Sequence, residues 1–515
     1  VTSQIPRRRQ AERRGLRLWN VGLVLALAFT AAVLTAGFVF YAGWDLLGAR
    51  QLQKQPKLDS KTLFDLVKLS FGVVAGAGAL VALVVAYRRQ RVDEDGALRD
   101  ATRLHTERFT TAVSQLGDDS AAVRLGGVHA LAGLADDAPT RELRQTCVDV
   151  LCAYLRLPYT AEADLPAGDT SAHHAYLSLR EVRHTVIRLV RDHLRLPSEH
   201  PHSWRGLHLD FTGVVFDGGD FSRAVFSSGT VDFTGAKFSS GRVDFIGAEF
   251  SGGMVDFTKA VFCGTKVDFY GAEFSGCVVN FSGAEFSGSM VNFSGAKFSA
   301  GGVGFTTAVF SRGMVNFSKA EFSGTPVSFI EAEFSGGTVA FTEAKFCAGT
   351  VAFSKAKFSA GTVSFTRAGY SGGTVNFTEA EFSGGTVSFI EAEFSGGSVD
   401  FTAANFSGGT VILAKAHFSG ATVAFIDAHF SGGTVDFTRA QFVQGTVDFG
   451  SPEFSGGTVD FTLANFSGGT IDYNSAIFSG GAVDFTLASG MCPACISLSS
   501  PMPGLTLSDP WRLPA

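Results

Sequence analysis

Charge is thin in this 515-residue chain: acidic and basic side chains make up 17% of it, and the net charge is -6. So small an imbalance over that length marks neither a nucleic-acid binder nor an acidic tail. Cysteine is sparse and scattered, seven in all. Two of them, Cys263 and Cys347, directly follow Phe262 and Phe346, where other repeats carry serine. Cysteine there is a small filler, which excludes a disulfide framework and points to a reducing compartment for the repeats. No G-x-x-x-x-G-K-S/T run occurs, so the glycines do not form a phosphate-binding loop. No non-repeating catalytic constellation stands out either, and the expectation is a protein that is not an enzyme and needs no cofactor. What remains for chemistry is slight. His173-His174 and His200-Pro201-His202 lie in polar loops, His417 and His429 sit one repeat apart near Asp427, and Cys492 and Cys495 form a lone C-x-x-C. None has a matched ligand cluster, so the loop histidines read as solvated, His417 and His429 as a surface ladder, and Cys492 and Cys495 as weak metal candidates.

What is abundant is glycine, 61 residues, and phenylalanine, 50. Together they fit a repeat with a buried aromatic stack and glycine corners. From Val231 to Ala488 the chain repeats V-D-F-T-G-A-E-F-S-G-G-T with few changes, valine returning every 12 residues at Val231, Val243, Val255 and onward. Residues two apart in an extended chain face the same way, so Val231 with Phe233, and Ala236 with Phe238, point inward. Asp232, Thr234, Lys237 and Ser239 point outward, and their equivalents vary freely. The expected structural core therefore includes Phe211, Phe216, Phe221, Phe226, Val231, Phe233, Phe238, Phe245 and Phe250, each phenylalanine contributing roughly 1.5–3 kcal/mol of transfer free energy.

The region before the repeats is different. Residues 1–18 are basic, with Arg7, Arg8, Arg9, Arg13, Arg14 and Arg17. Apolar runs follow at 19–41 and 69–87, separated by a polar connecting segment, 42–68. Each is long enough to cross roughly 30 Å of hydrocarbon. The arginines before the first run and Arg88, Arg89 and Arg91 after the second place both termini and the repeats in the cytoplasm, as part of a multi-pass protein of the cell membrane. Residues 92–196 show helical periodicity and read as an adaptor domain. Its last helix carries one stripe of Val182, Val186, Leu189, Val190 and Leu194. Arg180, Arg183, Arg188, Arg191 and Arg195 fill the rest, as a solvated face or a surface for anionic lipid or another protein. The segment Asp119–Ala135, DSAAVRLGGVHALAGLA, resembles a HEAT-type helical repeat. Residues 489–515 have no period and several prolines, and are expected to be a disordered tail.

The start of the repeats is the most informative stretch. Leu209-Asp210-Phe211-Thr212-Gly213 is followed by three more units in which phenylalanine recurs every five residues, at Phe216, Phe221 and Phe226. This resembles the pentapeptide-repeat family, whose units run alanine, aspartate or asparagine, leucine or phenylalanine, then polar residues. After Val231 the unit becomes two such pentads plus two residues. The resemblance spans 205–488 and implies a right-handed, four-sided β-solenoid with four pentads per coil. That is about 24 residues per coil and about 12 coils. A flat, two-sided coil of 12 residues is the alternative, crowded because sheets lie only about 10 Å apart. Pairing of Phe233 with Phe257 or with Phe245 distinguishes them, and no 24-residue alternation decides it at this stage.

Two functions from different classes are open. One is a membrane-anchored, non-enzymatic scaffold whose solenoid presents a rigid face to an unknown protein partner. The other comes from the resemblance, since some pentapeptide-repeat proteins mimic duplex DNA and bind DNA gyrase. Residues 205–488 hold 15 basic and 26 acidic side chains. Over roughly 57 Å of solenoid that is about one net charge per 5 Å, against one per about 1.7 Å in duplex DNA. DNA and small-molecule substrates are therefore not expected as partners.

Overall fold

A computed structural model describes residues 59–472, 476–491 and 504–511, with isolated helical positions between 26 and 45. The chain forms two compact units, Val1–Leu104 and His105–Ala515. Among the described residues four α-helices with defined bounds precede the repeats: α1 (Ser60–Leu116), α2 (Ala121–Asp136), α3 (Arg141–Arg156) and α4 (Thr170–Arg195). Thr140 Oγ1 accepts the Leu143 amide to start α3, and Asp169 Oδ1 accepts the Ala172 amide to start α4, each filling an otherwise orphaned donor. Gly127 lets α2 cross the last turns of α1, because a Cβ there would lie 2.6 Å from the Leu116 nitrogen.

The expectation of two membrane spans is corrected here. Among the described residues no helix is long and apolar enough to cross a membrane. The run at 69–87 is one part of the 57-residue α1. Gly72, Gly76 and Gly78 dilute it, and Lys61, Asp65, Lys68, Arg88, Arg89 and Arg91 flank it in the same helix. Most of 19–41 lies outside the described residues. The multi-pass localisation at the cell membrane, and the orientation drawn from it, go with the spans.

The repeats build a parallel β-solenoid of about 12 turns with about 24 residues per coil. Val231 pairs with Val255, which pairs with Val279, and Val243 pairs with Val267 in the other sheet. The coil of 12 residues is thereby excluded. Ring contacts alone would not have decided it: Phe233 stacks on Phe257 at 4.6 Å and also meets Phe245 edge-on across the core at 6.0 Å. Among the described residues the strands fall into two sheets of 20 and 21 strands, each made of two ladders that join where a long strand carries both. In the central coils single strands such as Glu333–Ala340 and Lys357–Ser364 continue, with a shift in register, through Ser-Gly-Gly-Thr and Ser-Ala-Gly-Thr, so two pentads share one broad side there. Pro326, at a threonine position, falls in the gap between the strands Glu321–Ser323 and Val327–Ser328, where no ladder N–H is needed.

The sides are joined by tight turns. The Ala236 amide donates to the Phe233 carbonyl at 2.9 Å, and the residue between, Gly235, has φ +64°, the geometry of a type II turn. The preceding aspartate is not free surface: Asp232 Oδ1 accepts the Thr234 amide at 2.8 Å, and the same bond recurs from Asp256 and Asp460.

Inside, four columns of aromatic rings run the length of the rod, with neighbours 4.6–5.1 Å apart. Phe211, Phe216, Phe221, Phe233, Phe238, Phe245 and Phe250 are fully buried, and Val231 and Phe226 are 4% exposed. Tyr370 replaces phenylalanine in one column, stacked between Phe346 and Phe394 at 4.8 and 4.7 Å. Its hydroxyl is buried without a hydrogen-bond partner, and that burial pushes its pKa well above the usual phenol value. Both ends of the rod are covered. Residues 504–511 form a closing segment. Leu505 pairs with Val483, and Trp511 packs on Phe466 and Phe485 and donates Nε1–H to the Gly490 carbonyl at 3.1 Å. Without it the last aromatic rings would face water.

Tyr370→Phe is expected to raise stability by about 1–2 kcal/mol, because it removes an unsatisfied buried hydroxyl and keeps the ring. Phe317→Ala in the neighbouring column is expected to lower it by about 3–5 kcal/mol. Chemical denaturation midpoints of the two variants check both signs.

Candidate interaction surface and its helical cap

The first coil is shorter than the rest, and the shortening determines what docks on it. Phe216 and Phe221 are five residues apart, whereas Phe238 and Phe245 are seven apart. The tight corner, Asp217-Gly218-Gly219, receives α4. A Cβ on Gly218 would sit 3.3 Å from His184, and one on Gly219 would sit 3.1 Å from Ile187. Asp217 is 3% exposed, and its carboxylate accepts from the hydroxyls of Tyr159 at 2.5 Å and Tyr176 at 2.7 Å. His184 Nε2 lies 3.4 Å from it and Arg180 Nε 3.6 Å. Burial opposes the charge on Asp217, but the bonds from His184, Tyr159 and Tyr176 outweigh it and hold the pKa at about 2.

Three arginines of α4, Arg183, Arg191 and Arg195, are tied to the first coil, while Arg188 is exposed and bonds only Thr185 of its own helix. Arg183 is buried, donates to the carbonyls of Leu155 and Val215 at 2.7 Å each, and lies over the Tyr159 ring. Arg191 pairs with Asp220, and Arg195 donates to the Ser222 carbonyl. From α3, Arg156 pairs with Asp210, and Gln145 exchanges two bonds with the His208 backbone. These contacts satisfy polar groups of the first coil and block a parallel sheet edge that would otherwise pair with another chain. The helices after His105 and the solenoid share one continuous core.

A second cluster pins the entry to the solenoid. Trp204, fully buried, donates Nε1–H to Asp136 at 3.3 Å and stacks on His193 with ring centroids 4.1 Å apart. His193 Nδ1 faces the Leu189 carbonyl at 2.6 Å and Nε2 faces Asp136 at 3.1 Å. Burial works against a charged ring there, but the Asp136 and Leu189 bonds outweigh it and raise its pKa above the ordinary histidine value.

Past the cap, the accessible parts of the rod are the two broad sides and the corners. The third residue of each tight turn projects at a corner, and turn residues 24 apart stack on adjacent coils. On one corner Lys319 reaches Glu343 at 3.7 Å, and Glu343 reaches Arg367 at 3.9 Å. Arg367 reaches Glu391 at 3.0 Å, and Glu391 reaches Lys415 at 3.4 Å. On the other corner Lys355 pairs with Glu379 at 3.7 Å. The row that starts at Glu249 on one broad side adds Glu273–Lys297 at 2.9 Å and Glu321–Lys345 at 3.2 Å. These residues sit at outward positions that read as freely variable in the sequence. The alternation missing there is in the charges: spaced by 24, Lys319, Glu343, Arg367, Glu391 and Lys415 change sign at every step.

The other candidates separate. His417 lies in one sheet and pairs with Glu393 and Gln441, while His429 lies in the other, 3.5 Å from Glu453. Twelve residues is half a coil, so the two histidines do not form one ladder. His173 lies 4.0 Å from Glu162, and His202 lies 3.8 Å from Asp136. Among the described residues no group of three or more histidine, cysteine or acidic side chains could hold a metal, and Cys147, Cys152, Cys263, Cys277 and Cys347 are free thiols. Cys492 and Cys495 lie outside the described residues. A cleft where the cap meets the first coil, lined by Leu194, Leu207, Leu209 and Val231, has room of about 10 Å³, a single water.

The architecture is that of a capped parallel β-solenoid, a class that presents surface and not pockets. Within that class residues 211–262 match the family described as Pentapeptide repeats (9 copies), and the chain is a pentapeptide-repeat protein. The match does not reach Asp119–Ala135, so the HEAT-type likeness gains nothing from it. No curated protein and no solved structure matches the chain.

The His193 cluster fixes a pH dependence. Because its folded pKa is raised, its contribution is complete below the ordinary unfolded value, about 6.5. It is lost as pH rises through the raised folded value. NMR titration of His193 is expected to give a midpoint above 6.5, and His193→Gln is expected to lower the unfolding midpoint more at about pH 6 than at about pH 8.5.

Proposed function

We propose that this protein is a non-enzymatic scaffold in which the capped solenoid holds an extended, rigid surface for a protein partner. The observation that carries this reading is the contrast between inside and outside. The interior is filled along its length by four aromatic columns, leaving no space for a substrate, while the exterior is a regular array of short polar side chains bordered by stacked charges. A surface of that kind suits recognition over a long, shallow contact. The helical cap is its fixed end, joined to the first coil by buried arginine and tyrosine contacts. The expected 205–488 repeat domain and 92–196 adaptor, in this reading, act as one body from His105 onward.

The alternating corner charges work against the DNA-mimic reading. A polyanion mimic needs carboxylates in unbroken rows, whereas Lys319, Arg367 and Lys415 interrupt the longest corner row at every second coil.

Proximity labelling in the source cells with the full chain, compared with a chain lacking residues 205–488, tests the scaffold. A neighbouring protein is expected that disappears with the solenoid. The same set of neighbours in both samples contradicts the reading.

A further inference from the structure

We propose that the alternating charges on the central coils act as a register code, telling each coil which neighbour to stack on during folding. The need for one follows from the core. Valine, phenylalanine and alanine return every 12 residues, so sliding one coil past another by a whole or half coil buries an almost identical set of side chains. Hydrophobic burial cannot separate the native pairing, i with i+24, from one that skips a coil, i with i+48. Slippage of this kind is the general hazard of a strand whose inward residues do not specify register.

The outward charges do separate them. In the native register the turn-position row Lys319, Glu343, Arg367, Glu391, Lys415 makes four opposite-sign contacts. The opposite corner row, Glu331, Lys355, Glu379, also alternates. So do Glu273, Lys297, Glu321, Lys345 on one broad side and Glu333, Lys357, Glu381 on the other. With one coil skipped, every contact within these rows reverses to like sign: Lys319 would face Arg367, Glu343 would face Glu391, and Glu273 would face Glu321. A skip of half a coil more than native mixes the signs, setting Lys319 on Lys355 but Glu331 on Arg367 and Lys355 on Glu391, so the code discriminates against whole-coil skips. Like charges directly opposite one another on adjacent strands are unfavourable. Exposed ion pairs contribute little to folded stability one at a time. Their effect here lies in the difference between registers, summed over several rungs.

The placement of the rows supports this role. Alternation holds from Glu273 to Lys415 and fails outside it, where Glu249 stacks on Glu273 and Lys415 is followed by Arg439. Near the N-terminal end the helical cap fixes the first coil by hydrogen bonds, and at the far end residues 504–511 close the last. The charges alternate where neither end is close enough to set the pairing. Turn position 235 and most of its early equivalents are glycine, at Gly213, Gly247, Gly271, Gly283 and Gly295. In the central coils that same left-handed position holds Lys319, Glu343 and Arg367 at φ 57–59°, a conformation that disfavours L side chains by roughly 1–2 kcal/mol each. Side chains also occupy this position outside the alternating rows, as at Ala403 and Leu463.

Refolding of the full chain from urea tests the code with three proteins: the natural chain, Glu343→Lys with Glu391→Lys, and that pair combined with Lys319→Glu, Arg367→Glu and Lys415→Glu. The first variant makes the row uniformly positive and removes discrimination. The second restores alternation with all signs reversed. Mis-registered chains carry a looped-out coil, read as new cleavage sites in limited proteolysis followed by mass spectrometry. At low salt the first variant is expected to give on the order of fivefold more cleavable product than the natural chain, and the second to match the natural chain. In about 1 M salt, where the Debye length falls to about 3 Å, the excess should vanish. A fully reversed row that misfolds as much as the uniform one overturns the proposal. So does a uniform row that refolds at low salt like the natural chain, or an excess that persists in high salt.

Discussion

Ring stacking between successive coils is the interaction on which the remainder of the molecule depends. Parallel strands are about 4.8 Å apart, and the phenylalanine centroids within each column are 4.6–5.1 Å apart. Backbone pairing and aromatic contact are therefore satisfied by one and the same coil rise, so four columns persist without strain in either. Burial contributes roughly 1.5–3 kcal/mol per ring, and an aromatic pair adds about 0.5–1.5 kcal/mol. The 24-residue coil follows: four rings, one per pentad, fill its cross-section, with Phe233 and Phe245 meeting edge to face at the centre. Leu413 takes one ring position and remains fully buried, so a single aliphatic substitute does not interrupt the rod.

The same regularity leaves two problems that the rest of the chain resolves. A stack of equivalent coils has exposed ends, and its core does not say which coil follows which. The helices address the first at one end. The missing residue pair in the first coil makes a tight corner at Asp217, and α4 seats on it with a buried carboxylate, two tyrosines and an arginine that reaches backbone carbonyls on both sides. At the other end Trp511 covers the last rings. Outward charges address the second problem in the middle. Function is displaced to the exterior by the filled core, which is why the chain reads as a scaffold and why its most conspicuous residues, phenylalanine, valine and glycine, say little about a partner.

The period of five at Phe211 to Phe226 made the family and the inward residues legible, because burial imposes the same chemistry at every inward position. The coil length was legible too, but in residues that looked interchangeable: Lys319 and Glu331 are neighbours in a 12-residue reading and unremarkable, while Lys319 and Glu343 oppose each other only in a 24-residue one. The interaction surface was hidden for that reason. The arginines of α4 were placed correctly on one helix, yet periodicity gives a face without saying what packs on it. Arg183 and Arg191 contact partners 28–32 residues away. Trp511 and the closing strand at Leu505 have no period to announce them. The apolar run at 69–87 was read as a span ending at Arg88, Arg89 and Arg91, whereas those residues continue the 57-residue helix that contains it.

The coil itself is the central claim, since the columns, the caps and the charge rows all presuppose it. Disulfide trapping measures it in solution. Cysteines placed at 319 and 343 are predicted to lie on adjacent coils, about 5 Å apart at Cα, within the range that a disulfide bridges. Mild oxidation should then close that pair within one chain, whereas cysteines at 319 and 331 should stay reduced. Efficient closure of 319 with 331, and none of 319 with 343, would contradict the 24-residue coil and everything built on it.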